Sequence, residues 1–163
     1  MNNLNVQQVL DDCSTELIHV KSLVDGLGIT SSIVPYLTKY ALIKASGSIE
    51  QAFKTVIADF CSRRSKKQVK RFLRKNVREG SANPSYDNMC GFLNSFDKNW
   101  QVEFKAKVGA EPNKAVLLNS LQSLVDARNE FAHGGNPKAS ISDVLDYFDH
   151  ARRLIEIMDY IVN

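Results

Sequence analysis

The sequence predicts an all-α protein, a helical bundle of about five to seven helices in a single domain over residues 1–163. Three observations predict it. Apolar residues recur at helical spacing along most of the chain. No stretch alternates apolar and polar residues as a strand would, and no internal repeat or low-complexity tail occurs. A length of 163 residues with 44% hydrophobic and 24% charged residues suits one globular domain with a sizeable core.

The elements follow in order. "LNVQQVLDDCSTELIHVKSLVDGLG" predicts a first helix, with Leu10, Leu17, Val20 and Val24 near one face and Gly26 and Gly28 as its stop. Ser31 or Ser32 is placed to cap a second helix that tolerates Pro35 in its first turn and runs to Gly47. Ser48 and Gln51 have capping-box spacing, which predicts a break or kink and a restart there. Ile49, Ala52, Phe53, Val56, Ile57 and Phe60 then form a clean amphipathic stripe. Residues 63–78 also have helical spacing, and Val69, Phe72, Leu73 and Val77 make a narrow apolar strip ended by Gly80. "GSANPSYDN" reads as a loop, followed by short helices around 86–97 and 99–107. Pro112 is placed to open a helix over 113–133 that stops at Gly134 and Gly135. Ser140 and Asp143 have capping-box spacing before a final helix over 142–162.

Charge is unevenly spread. "RRSKKQVKRFLRKNVR" holds nine basic residues and no acidic one, namely Arg63, Arg64, Lys66, Lys67, Lys70, Arg71, Arg74, Lys75 and Arg78. The rest of the chain carries 12 basic and 18 acidic residues, so an acidic body bears one basic segment. Such a segment is a solvated helix face, an RNA-backbone contact or a site for an acidic protein. Phe72 and Trp100 are aromatic enough to stack on bases, but the place of Phe72 on the apolar strip favours core packing.

Other classes are disfavoured. No apolar run approaches the roughly 18–20 residues of a membrane span, and no basic stretch leads an apolar one at the N-terminus. Cys13, Cys61 and Cys90 are odd in number and far apart, which fits reduced, mostly buried thiols in a cytoplasmic protein. The chain has no glycine-rich phosphate loop, no H-E-x-x-H and no Cys/His cluster, so no metal and no cofactor is expected. His19 and His150 read as structural or surface residues.

"DARNEFAHGG", residues 126–135, breaks the ordinary pattern. On a wheel of about 100° per residue with Leu117 at 0°, Leu121, Leu124, Val125, Phe131 and Ala132 make the apolar face. Arg128 falls near 20° on that wheel, close to the centre of the face. A buried unpaired guanidinium costs several kcal/mol. Arg128 therefore snorkels or pairs with Glu50, Asp126 or Glu130, sits in a polar network, or faces a second subunit and an anion. His133 stands at the negative pole of the helix, which favours positive charge. An arginine and a histidine together suit phosphate chemistry, one stabilising charge and the other moving a proton.

Arg128-Asn129-Glu130-Phe131-Ala132-His133 resembles the R-x4-H signature of the HEPN superfamily, with Asn129 as the polar residue after the arginine. "LVDARNEFAHG", the upstream "ASGSIEQAFKTVIADF", the basic middle and the closing helix resemble the RiboL-PSP-type branch over most of the chain. The resemblance implies a homodimer whose two motifs share one cleft. It implies metal-independent endoribonuclease activity by 2′-OH attack, with Arg128 and His133 at the phosphate and Asn129 orienting the site. RNA contact then falls to Arg63, Arg64, Lys66, Lys67, Lys70, Arg71 and Arg74, with Glu50 as support. A setting in toxin–antitoxin or anti-phage defence is implied too, with a cognate antitoxin or defence protein as partner and no membrane. The alternative is a non-catalytic HEPN module that binds RNA or protein, or dimerises.

Overall fold

The structure, a computed structural model, describes residues 1–28 and 31–163. These residues form seven α-helices: α1 (Leu4–Leu27), α2 (Val34–Ser62), α3 (Lys67–Leu73), α4 (Tyr86–Phe96), α5 (Lys98–Ala110), α6 (Lys114–Ala132) and α7 (Ile141–Val162). A π-helical turn, Arg74–Arg78, continues α3. No strand occurs among the described residues, and the predicted all-α class holds.

α1 starts where the Asn3 side chain accepts from the backbone N–H groups of Asn5 and Val6. It buries Val6, Leu10, Cys13, Leu17, Val20 and Val24, alternating steps of four and three that draw one apolar seam. The buried carboxylate of Asp159 near the end of α7 accepts from the backbone N–H groups of Asn2 and Asn3 and ties the N-terminus down.

α2 is the central element. It packs against α1, α6 and α7, and on its C-terminal half against α3 and the π turn. The expected break at Gly47 does not occur: one helix runs through Gly47 and Ser48. Leu42, Ala45, Ile49, Ala52 and Phe53 are buried on both sides of the glycine, so packing outweighs the local capping signal. Phe53, Phe104 and Phe148 are the largest fully buried side chains of the core these helices share.

α3 and the π turn lie against α2 through Leu73 and Val77, which cluster with Ala58. The Glu79 N–H donates to the Arg74 carbonyl at 2.9 Å, the five-residue step that defines the turn. Polar ties complete the attachment. Arg78 is ion-paired with Asp59, which also accepts from the side-chain amides of Asn3 at 3.0 Å and Asn5 at 3.1 Å. Buried Lys54 donates to Glu50 at 2.8 Å and to the Gly80 carbonyl at 2.6 Å.

α7 opens with the predicted capping box. The Ser140 hydroxyl accepts from the Asp143 N–H, and the Asp143 carboxylate accepts from the Ser140 N–H at 2.8 Å. These bonds, from the Ser140 backbone first and then its hydroxyl, hold the Asp143 carboxyl below its ordinary range.

Burial would raise the Asp59 carboxyl, but the amides of Asn3 and Asn5 and the charge of Arg78 outweigh it and hold the acid low. A lowered folded value stabilises the fold above the unfolded value, about pH 3.9, and that contribution is lost as pH falls through the folded one. Asp59→Ala is expected to cost about 1–3 kcal/mol at pH 7. Urea melts of both proteins from pH 7 to pH 3 check this, and the gap between them should narrow at the acid end.

Candidate functional site

The C-terminal turn of α6 carries the motif, and backbone hydrogen bonds fix how it ends. His133 is the C-cap residue, and its N–H donates to the Asn129 carbonyl at 3.0 Å. Gly134 follows at φ +83°, where a side chain would be strained. Its N–H donates to Phe131 at 3.0 Å, and the Gly135 N–H donates to Glu130 at 2.8 Å. This crossed pair is a Schellman motif. A Cβ on Gly135 would stand 2.5 Å from Cγ and 2.8 Å from the carbonyl oxygen of Glu130, so both glycines are needed for the chain to leave here.

Leu117, Leu121, Leu124 and Val125 of α6 are buried, and coverage thins one turn before the motif. Arg128 is half-buried, Phe131 is half-buried and Ala132 is exposed. The Arg128 guanidinium donates to the Asn129 side-chain oxygen at 3.1 Å and has no ion pair among the described residues. None of the three acids expected as its partner pairs with it. Asp126 accepts from Gln122 at 2.7 Å. Glu130 makes no ion pair among the described residues. Glu50 is spent on Lys54 and on the Ala82 N–H at 2.9 Å, which corrects the expected support for Arg128. The Glu50–Lys54 pair stands at i,i+4 on one helix, so its signal was legible.

Arg128 and His133 are five residues apart, which separates them by roughly 140° around α6 and about 7.5 Å along it. His133 is exposed. Asn129 lies between them, bonded to the arginine through its side chain and to His133 through its carbonyl.

The N-terminal half of α2 lies beside this helix end. The Lys39 ammonium sits 5.5 Å from the Phe131 ring centroid. Next to Lys39 the outer face of α2 presents Tyr36, 72% exposed, with Tyr40 and Ile43. Ile33 extends this apolar surface, and Leu23 and Leu27 of α1 are exposed as well. A cavity of about 370 Å³ lies under the loop after the motif, lined in part by Lys39, Thr38, Asn136 and Ser140.

All the basic residues of 63–75 are exposed. Among the described residues, only Arg74 and Arg78 of the nine cations have a carboxylate, Glu79 and Asp59. Arg63 donates to the Asn163 side chain at 2.6 Å and lies over the Phe60 ring. Phe72 was expected in the core and is not: it is 62% exposed, and Val69 is 45% exposed. Only Leu73 and Val77 of the strip reach α2. Trp100 packs edge-on against Phe60 at 5.2 Å and is half-buried.

His150 has a partner the sequence did not reveal, the Ser120 hydroxyl at 2.9 Å from Nδ1, and His19 is exposed. Cys13, Cys61 and Cys90 are free thiols, each pushed above its ordinary value by burial. Among the described residues no cluster of three or more His, Cys, Asp or Glu is placed to hold a metal, and no helix is long and apolar enough to cross a membrane.

A family model described as RiboL-PSP-HEPN matches residues 9–163. The chain belongs to the RiboL-PSP-HEPN family. Comparison with curated proteins and with solved structures finds no match. The RiboL-PSP-HEPN match begins inside α1 and runs through α7, so it takes in both the motif on α6 and the basic segment.

The contrast between the two charged sites is measurable. Glu50→Ala leaves the buried Lys54 unpaired and is expected to cost on the order of 3 kcal/mol. Arg128→Ala removes a charge with no carboxylate and should change stability by less than about 1 kcal/mol. Chemical denaturation of both variants beside the wild type checks this ordering.

Proposed function

We propose that the protein is a metal-independent endoribonuclease acting as a homodimer, with Arg128, Asn129 and His133 of both protomers at one composite cleft. The observation that carries this reading is Arg128: a half-buried guanidinium without a carboxylate, beside an exposed apolar surface. A cation left uncompensated in that position suits an anion supplied from outside the protomer. The apolar surface suits the second copy, since Tyr36, Tyr40 and Ile43 are exposed on the helix whose Lys39 lies against Phe131 of the motif.

The chemistry follows from the residue types. The ribose 2′-oxygen attacks the adjacent phosphorus, the bond from phosphorus to the 5′-oxygen breaks, and a 2′,3′-cyclic phosphate and a 5′-hydroxyl result. One histidine takes the 2′-OH proton and its counterpart in the second protomer protonates the leaving oxygen. Arg128 stabilises the charge that builds on the phosphorane, and Asn129 holds the guanidinium in place. Two protomers are needed because Arg128 and His133 of one helix diverge. The basic residues of 63–78 guide RNA toward the cleft by charge.

Membership of the RiboL-PSP-HEPN family supports the reading. A toxin–antitoxin or phage-defence setting is part of the same proposal: wild-type expression then arrests growth, and His133→Ala does not.

The test is direct. Purified protein is incubated with single-stranded RNA in EDTA, and the ends are analysed. The wild type should cut and leave cyclic phosphate, while His133→Ala and Arg128→Ala should each lose about 100-fold or more in rate. Cleavage that EDTA abolishes, or equal cleavage by His133→Ala, sinks the mechanism. A protein that cuts no RNA but binds it is the non-catalytic module. Ile43→Glu should yield monomers by light scattering and lose cleavage together with dimerisation.

A further inference from the structure

The arm formed by α3 and the π turn combines the charge that guides RNA with a feature that the cleavage reading does not use. Four of its six cations lack a carboxylate partner among the described residues, and Arg63, Arg64 and Lys66 just before it lack one too. Its aromatic ring is out in solvent. Phe72 is 62% exposed on a segment whose next residue, Leu73, is only 3% exposed. An exposed phenyl ring costs solvation free energy and contributes nothing to the core.

We propose that Phe72 is a base-stacking platform and that the arm is a binding site for single-stranded RNA, with Phe72 taking one unpaired base and Lys75, Lys70 and Arg71 the flanking phosphates. The inference rests on the RNA reading of the chain and adds the class of RNA and the residue that selects it.

Charge complementarity decides the occupant. Seven like charges crowded on one exposed segment repel each other, and a polyanion relieves them while releasing its counterions. An acidic protein surface would relieve them too. Here, however, the exposed apolar area amounts to Phe72 and Val69, which is too little for the buried centre of a protein interface. The same two side chains on a seven-residue helix are a poor membrane anchor. A single flat ring among cations is what a nucleic-acid strand with open base faces needs. In a duplex the bases are stacked on one another, and only phosphates and groove edges remain to be touched.

The arm is also held still. Leu73 and Val77 pack on Ala58, Arg78 is paired with Asp59, and the Asn76 side-chain amide donates to the Phe72 carbonyl at 3.0 Å. The ring is therefore presented at a fixed place, with Lys75 one turn further on. A polar cleft of about 390 Å³ lies between Arg78 and α2, lined by Gly47, Gln51, Thr55 and the paired Glu50 and Lys54.

The experiment measures binding separately from cutting. The full chain is titrated into a labelled 2′-O-methyl oligouridine, which lacks the attacking hydroxyl, and into a 2′-O-methyl duplex of equal length. Phe72→Ala should bind the single strand about tenfold more weakly, keep its melting temperature and keep the wild-type salt slope. Phe72→Trp should bind at least as well as wild type, and neither variant should alter duplex binding. Lys70→Gln with Lys75→Gln should flatten the salt slope on both probes. Equal binding by Phe72→Ala and wild type overturns the platform and leaves the RNA reading standing. Absence of any salt-dependent RNA binding by wild type overturns both. Phe72-dependent capture by vesicles of anionic phospholipid, at concentrations that leave the oligonucleotide free, also overturns the proposal.

Discussion

The burial of α2 from Ala41 to Ala58 is the constraint on which the rest of the molecule depends. A helix of 29 residues is about 44 Å long, and this one is enclosed on successive sides by α1, α7 and α6. Those neighbours hold Gly47 inside a helix that its local sequence would let go. Because α2 stays whole, two distant regions are set in one frame. Its first turns place Lys39 on Phe131 and hold the motif end of α6. Its last turns offer Asp59 and Ala58 to the arm. The face left uncovered between them runs through Tyr36, Tyr40, Ile43, Gly47 and Gln51.

Carboxylates sort the cations into two kinds. Lys44 with Glu16, Arg152 with Asp11, Arg153 with Glu111, Lys54 with Glu50 and Arg78 with Asp59 each join one piece of the fold to another or brace one helix. Paired cations therefore belong to the architecture. Those of the arm, apart from Arg74 and Arg78, have no such duty, and neither does Arg128. Formal net charge, only +3, hides this division, because on paper acids in the body cancel all the cations in the arm, while in space Asp59 alone reaches one of them, Arg78, among the described residues.

What the sequence disclosed follows the range of the forces involved. The capping box of Ser140 and Asp143 and the exit at Gly134 and Gly135 are settled within a few residues, so they were legible. Gly47 was misread because a local capping pattern competes with burial supplied by three distant helices. Phe72 was misread for a related reason. A helical wheel says which side chains share a face, but not how wide the neighbouring surface is, and α2 covers only Leu73 and Val77. Arg128 did fall on the apolar stripe, as the wheel required. The wheel could not say that the core ends at Val125, which turns a costly buried charge into a half-exposed one. The bond from His150 to Ser120 joins residues thirty apart and left no local trace.

Distance then separates the roles of the arm and the motif within one protomer. Asp59, which anchors the arm, and Lys39, beside the motif, are twenty residues apart on α2, or roughly 30 Å. The screening length at physiological salt is about 8 Å. Arm cations therefore exert almost no field at Arg128 or His133 of the same chain. In the cleavage proposed above they would not stabilise charge developing on a phosphate held at the motif. Their part would pass through the RNA itself, by holding other phosphates of the same strand, and would be steeply salt-dependent. The bond-breaking step would be left to groups in direct contact with one phosphate, where screening by salt has little access.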